Sequence, residues 1–357
     1  MKFRNSYLKM KKNSKNMIIN KEEIDYLSNN KKKKYIKQKK TFRFCFYLFF
    51  IIITISLSLN FIFTFKLYLS KNNKCGNIKD PKQEFIYNGN TPLETYDLNI
   101  LEPIENKIKD YIELTEDERK FFNGVLRKVK PKKIVEIGVS RGGSSVLILN
   151  AIKDIEGAKL YSIDKSESLY INKEQKTGFL VSEKFPELMK NWKLFVGGIT
   201  AEFIESIGDG IDLVFIDTMH ITPGEMLDWL MVLPFLKNEA FVVFHDTFFL
   251  YCGKEVNKHK LHTSNNELIT YIRGDLILPS YGDKVFFRNI GALKLSPEQK
   301  NYYYQYFLAL GIQWEYMPDE KDLKIMRDFF MKYYGQKYVE VFDDAVEKNK
   351  IYLNKFL

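Results

Sequence analysis

The sequence predicts a doubly wound α/β fold on a mostly parallel sheet, and three observations carry that expectation. Five short apolar runs recur between residues 132 and 246, helical stretches separate them, and a glycine-bearing turn follows the first run directly. Apolar strands of this kind need covering on both faces. Helices must therefore lie on each side, and ligands of such sheets gather at the carboxyl ends of the strands.

Thr115 and Glu118 form a capping box that starts a helix running to about Lys130. KKIVEIG (132–138) is the first strand, followed by a helix over about 143–155. AKLYSID (158–164), WKLFVGG (192–198) and IDLVFID (211–217) are the second to fourth strands. Thr222, Pro223 and Glu225 read as N-cap, first-turn proline and capping-box acid of a helix ending near Leu236. EAFVVFHD (239–246) is the fifth strand, and KVFFRNIGALKL (284–295) supplies an antiparallel edge. This globular domain spans 101–295. A C-terminal helical extension, 296–357, is broken near Gly311 and Gly335, and its run NYYYQYF (301–307) reads as internal packing without a site role.

The 357-residue chain carries a net charge of +10, but the surplus is confined to one end. Residues 1–43 hold fifteen Lys or Arg against three acids, which leaves −2 for the rest. A nucleic-acid groove needs its basic residues on the folded domain, so nucleic-acid binding is not expected. Residues 44–65 form an uncharged apolar stretch of 22 residues, roughly 33 Å as a helix, enough for a single transmembrane anchor. A signal peptide would be shorter and end in small residues, and a core helix would not be apolar all round. Eight cations just before the span against four just after it predict a cytoplasmic basic tail. Residues 66–100 read as a linker. Cys45, Cys75 and Cys252 are too few and too scattered for a disulfide framework or a metal set.

The chemistry concentrates in VEIGVSRGGSS (135–145), a strand-to-helix turn. Gly138 and Gly142 allow a sharp bend and close approach of a ligand, and the helix beyond them offers free N–H groups. Glu136 is placed to hold an ammonium group. Asp164 ends the second strand, where a carboxylate can accept both hydroxyls of a ribose, so a nucleoside ligand is expected. NAD is disfavoured because Ser140 stands where a dinucleotide fingerprint needs its second glycine. Asp217 and Asp246 close two apolar strands and can converge on one hard cation such as Mg²⁺. His220, three residues past Asp217, is placed to take a proton. By strand alternation His245 should face the other side and be structural, and His259 and His262 lie in a polar, solvated stretch.

Glu136, Gly138 and Gly142 together resemble the first motif of class I S-adenosylmethionine-dependent methyltransferases, a Rossmann-like superfamily. FIDTMHITPGE and VVFHDT resemble its methyltransferase family 24 branch, which includes small-molecule and sugar O-methyltransferases and relatives of a cephalosporin hydroxylase protein. The resemblance implies that Glu136, Gly138 and Gly142 hold the amino-acid end of S-adenosyl-L-methionine and Asp164 its ribose, with Asp217 and Asp246 binding a divalent cation. It further implies an oxygen acceptor on a small molecule or glycan. Where relatives often have Gly-Asp after the third strand, this chain has Gly198, Ile199 and Thr200, which leaves the adenine contact unassigned. Two other readings stay open: a metal-assisted hydroxylase-like or hydrolytic enzyme on the same fold, and a membrane-tethered binding module without catalysis. The flanking charges put the catalytic domain on the far side of the membrane from the cytosol, where such a methyl donor is made.

Overall fold

A computed structural model describes residues 97–170, 172–247, 271–279 and 289–356. The basic tail, the 44–65 span, the linker up to residue 96, all three cysteines, His259 and His262 lie outside the described residues. Among the described residues no helix is long and apolar enough to cross a membrane.

Among the described residues two helices precede the sheet. The first, α1 (Leu98–Ile108), is capped by Asp97, whose side chain accepts the Asn99 N–H. The second, α2 (Glu116–Val129), carries the expected Thr115/Glu118 capping box and ends on Lys130 in the left-handed region. Next come β1 (Lys133–Ile137), α3 (Gly143–Ile152), β2 (Lys159–Asp164), α4 (Phe179–Lys184), β3 (Trp192–Val196), α5 (Thr200–Ile207), β4 (Ile211–Ile216), α6 (Gly224–Val232) and β5 (Leu236–His245). The chain then adds β6 (Gly274–Ile277), β7 (Ile290–Leu295), α7 (Tyr303–Ala309), α8 (Glu320–Tyr333) and α9 (Gln336–Phe356).

The sheet order is β3-β2-β1-β4-β5-β7-β6. Five strands run parallel, and β7 pairs antiparallel with β5. The expected antiparallel strand therefore exists but is not the edge, because β6 pairs outside it. From β1 the chain steps to β2 on one side and returns to β4 on the other, so the strand order reverses there and opens a crevice at the carboxyl ends.

Period-two alternation builds two cores. Val214, Ile216, Val242 and Phe244 pack on one face with α5, α6 and the C-terminal helices. Leu213, Phe215 and Val243 pack on the other with α1 to α4. Fully burying each such side chain stabilises by roughly 1.5–3 kcal/mol. The C-terminal helices are thus part of the sheet's cover. Phe307 lies 5.2 Å from Phe330, edge to face, and the backbone N–H of buried Trp314 donates to Asn349 Oδ1 at 2.8 Å.

The helix start expected at Thr222 is replaced by a different arrangement. Its hydroxyl donates to the Gln313 carbonyl (2.7 Å) and Glu225 faces His220, so α6 begins at Gly224 without a side-chain cap.

Candidate active site

The glycine turn is held from three directions. Gly138, at φ +92°, donates its N–H to the Ile163 carbonyl at 2.9 Å, while the Asp217 N–H donates to the Ile137 carbonyl at 2.9 Å. One oxygen of Asp164 accepts the Val139 and Ser140 N–H groups (2.9 and 3.1 Å), and the other accepts the Ser166 N–H (2.8 Å). Asp164 lines the cavity at this edge and at the same time clamps the turn to β2. Gly142, at φ +91°, packs on Gly178, so a side chain there would meet the neighbouring backbone at 3.1 Å.

Glu136 is not on the cavity. It shares strand parity with Ile134, which faces α3, and is fully buried beneath the first turn of that helix. Ser144, Ser145 and Ser162 each donate a hydroxyl to it at 2.6 Å, and the Trp192 indole N–H donates to Ser162 at 2.8 Å. The carboxylate expected to hold the cofactor's ammonium instead ties β1, β2, β3 and α3 together. Burial pushes its carboxyl up to about 7 against the pull of the three hydroxyls.

That shift has a measurable sign. Between pH 4.5 and about 7 the folded protein retains a proton on Glu136 that the unfolded chain has released, so folding stability falls as pH rises through this window. At about 1.4 kcal/mol per pH unit the loss is on the order of 3 kcal/mol. Glu136→Gln cannot ionise and should lack this component. Urea unfolding of both proteins from pH 4.5 to 8 should give curves that diverge up to pH 7 and then run parallel; parallel curves throughout would contradict the assignment.

Asp217 and Asp246 converge, and His220, expected only to take a proton, joins them in one cluster. Each offers one atom, and the three atoms lie within 4.8 Å of one another. His220 Nε2 stands 3.0 Å from Asp246 and 4.0 Å from Asp217, while its Nδ1 faces buried Glu225 at 3.1 Å. Asp246 adopts φ +54° immediately after β5 and accepts the Asn289 side-chain N–H at 2.6 Å. Two carboxylates and an imidazole, with a carboxylate behind the ring, form a donor set that fits a divalent cation. His220 thus points at the same spot as the two acids. Burial disfavours its charged form, yet Glu225, Asp217 and Asp246 outweigh burial and push it up to about 9. The imidazole therefore holds a proton at neutral pH and must release it before it can act as a base.

His245 does not face away from the acids. It is buried, yet its Nδ1 reaches Asp217 Oδ1 at 3.2 Å and its Nε2 lies 3.7 Å from Glu118. Burial opposes its charge, but Asp217, Glu118 and Asp246 raise it well above the ordinary histidine range. Conversely, burial would raise Asp217, and the two histidines bring its carboxyl below the usual value.

A cavity of about 600 Å³ connects the glycine turn, Asp164, Asp217 and His220, a size typical of small-molecule sites. One wall comes from the C-terminal extension through Tyr316, Pro318, Asp322 and Met326. Lys165, next to Asp164, pins this wall by pairing with Asp322 and, at 3.2 Å, Asp319.

Residues 135–247 match a family model described as a methyltransferase domain. The chain carries a methyltransferase domain. No curated protein matches the sequence. Solved structures with a similar chain path include the O-methyltransferase TomG from Streptomyces achromogenes in complex with SAM (14% identity, 60% of this chain and 93% of that one, TM-score 0.38). An O-methyltransferase from Bacillus cereus in complex with SAH matches at 14% identity over 63% of this chain and 96% of that one, TM-score 0.39. The SAH-bound Podospora anserina methyltransferase PaMTH1 matches at 15% identity over 56% and 88%, TM-score 0.38.

Within the methyltransferase domain and its cover, several cavity groups escaped sequence reasoning. Asp228 on α6 lines the cavity and accepts the Thr200 and Thr218 hydroxyls at 2.8 and 2.9 Å. A signal for it was present: Glu225 and Asp228 stand three apart in the otherwise apolar helix GEMLDWLMV, an acid pair on one buried face. The part of Tyr316 carried no local signal.

Proposed function

We propose that the chain is an S-adenosylmethionine-dependent O-methyltransferase acting on a small-molecule or glycan hydroxyl, tethered to a membrane by residues 44–65. The observation that carries this reading is one cavity in a methyltransferase domain that joins the glycine turn and Asp164 at one end to Asp217 and His220 at the other. The donor's nucleoside would lie by Gly138 and Asp164, and its sulfonium methyl would point toward Asp217 and His220.

A divalent cation held by Asp217, His220 and Asp246 would bind the acceptor hydroxyl and lower its pKa. The protein's own residues do the rest. Glu225 orients His220, Asp164 fixes the turn against which the nucleoside rests, and the C-terminal wall limits water and holds hydroxyl and methyl in line. The uncharged span, with its basic flank on the N-terminal side, supports the membrane tether.

S-adenosylhomocysteine should raise the melting temperature of the full-length chain in detergent by several degrees at 100-fold excess over Kd, since about 2.7 kcal/mol is added there. No shift at saturating ligand would favour a metal-assisted hydrolase or hydroxylase on the same fold. Release of the chain from membranes by alkaline carbonate would remove the tether.

A further inference from the structure

With Glu136 sealed beneath α3, the acid expected to face an amino group at the glycine turn does not reach the cavity, yet the methyl donor carries two such groups: the exocyclic amine of adenine and the α-ammonium of its methionyl end. Of the five acids that line the cavity, Glu113 is exposed to solvent, and three of the other four are engaged. Asp164 accepts three backbone N–H groups, Asp217 faces two histidines, and Asp322 pairs with Lys165. Asp228 differs from these three. Its two oxygens each take one threonine hydroxyl, and among the described residues it has no ion-pair partner. A carboxylate offers about four acceptor positions, so two hydroxyls leave room for a donor arriving from the cavity.

The surroundings make this corner a built one. Thr200 starts α5, Thr218 follows β4, Asp228 projects from α6, and Tyr316 comes from the C-terminal wall. Asp228, Thr200, Thr218 and Tyr316 all line the cavity. Two hydroxyls on opposite oxygens fix the carboxylate's rotation, which prepares it for a directional bond. Burial pushes the Asp228 carboxyl up to about 6, with the charge of Asp164 adding to the rise, so a hydrogen-bond donor from the ligand would stabilise the ionised form. Burial and the carboxylates of Asp228, Glu225 and Asp322 raise the Tyr316 phenol, which stays neutral and adds no competing charge.

Resting on the methyl-donor reading above, we infer that Asp228 is a specificity-determining residue that accepts a hydrogen bond from an amino group of the donor.

The test measures equilibrium binding to the full-length chain in detergent with three probes: S-adenosylhomocysteine, S-inosylhomocysteine, which lacks the exocyclic amine, and the desamino analogue, which lacks the α-ammonium. One analogue should bind the wild type 10- to 100-fold more weakly than S-adenosylhomocysteine, and its identity tells which amino group Asp228 meets. Asp228→Ala should weaken S-adenosylhomocysteine by the same factor while leaving that analogue within threefold of its wild-type affinity. Asp228→Asn keeps both threonine contacts and is read in the same way if the alanine variant does not fold. Equal weakening of all three probes would mean a structural role and would overturn the inference, as would undiminished binding of S-adenosylhomocysteine. A wild-type chain that binds none of the probes would overturn the donor reading itself and the inference with it.

Discussion

Asp217→Asn should abolish measurable metal binding and methyl transfer while leaving S-adenosylhomocysteine bound. Asp217 is the one acid that both lines the cavity and belongs to the three-residue cluster with His220 and Asp246. Asparagine has the same shape and can still accept from His245, which holds the carboxylate at 3.2 Å. Its cost to folding should therefore stay at about 1–3 kcal/mol, because His245 keeps Glu118 as a second acid. The chemistry loses more. A carboxylate ligand is gone, and general-base and cation effects each account for about 100-fold or more in rate. Mn²⁺ titration followed by electron paramagnetic resonance should give an affinity at least about 100-fold weaker in the variant. Wild-type protein that takes up no Mn²⁺ at millimolar concentration would remove the cation from the mechanism. A variant that loses S-adenosylhomocysteine together with Mn²⁺ would show that Asp217 shapes the whole cavity rather than its reactive end.

How much of this was legible depended on the range over which each signal acts. The five parallel strands and the turn at Gly138 were legible because apolar runs and glycines are local signals. The meeting of Asp217 and Asp246 also followed, since strand ends in a parallel sheet stand side by side at known spacing, whereas the turn of the loop that brings His220 to them left no such signal. Glu136 was misplaced for a definite reason. Alternation says it points opposite to Val135 and Ile137, but only tertiary structure says that this side is sealed by α3. The His245 reading failed in a similar way, because its reach to Asp217 depends on how β4 and β5 end relative to each other. The strand β6 has four residues, three of them exposed, and so offers no apolar pattern to read. Tyr316, Asp322 and Met326 come from a helical extension about a hundred residues past Asp217, and no local periodicity predicts that a covering helix will also form a cavity wall.

Gly138→Ala should be the most destabilising single-methyl change in the domain. A Cβ there would stand 1.9 Å from the Asp217 carbonyl oxygen and 2.7 Å from its carbon. Both are backbone atoms, and neither can swing aside as a side chain could. The hydrogen bonds from Gly138 to Ile163 and from Asp217 to Ile137 pin β1 to β2 and β4 at this level, so relief requires parting the centre of the sheet. A positive φ costs a non-glycine residue about 1–2 kcal/mol, and an overfilled core adds about 1–3 kcal/mol. The total of roughly 2–5 kcal/mol is a large share of the 5–15 kcal/mol that keeps a typical domain folded. Gly157→Ala and Gly335→Ala separate the two components. They have φ +74° and +88° with no atom within 4 Å of the added carbon, so they should lose only the conformational part, about 1–2 kcal/mol. Urea unfolding should rank Gly138→Ala below both by at least about 1 kcal/mol. Because any relaxation must displace Asp217, the variant should also lose Mn²⁺ even under conditions where it stays folded. Equal stability in all three variants would mean that the turn and the β4 exit do not touch, and the cavity between them would lose its floor.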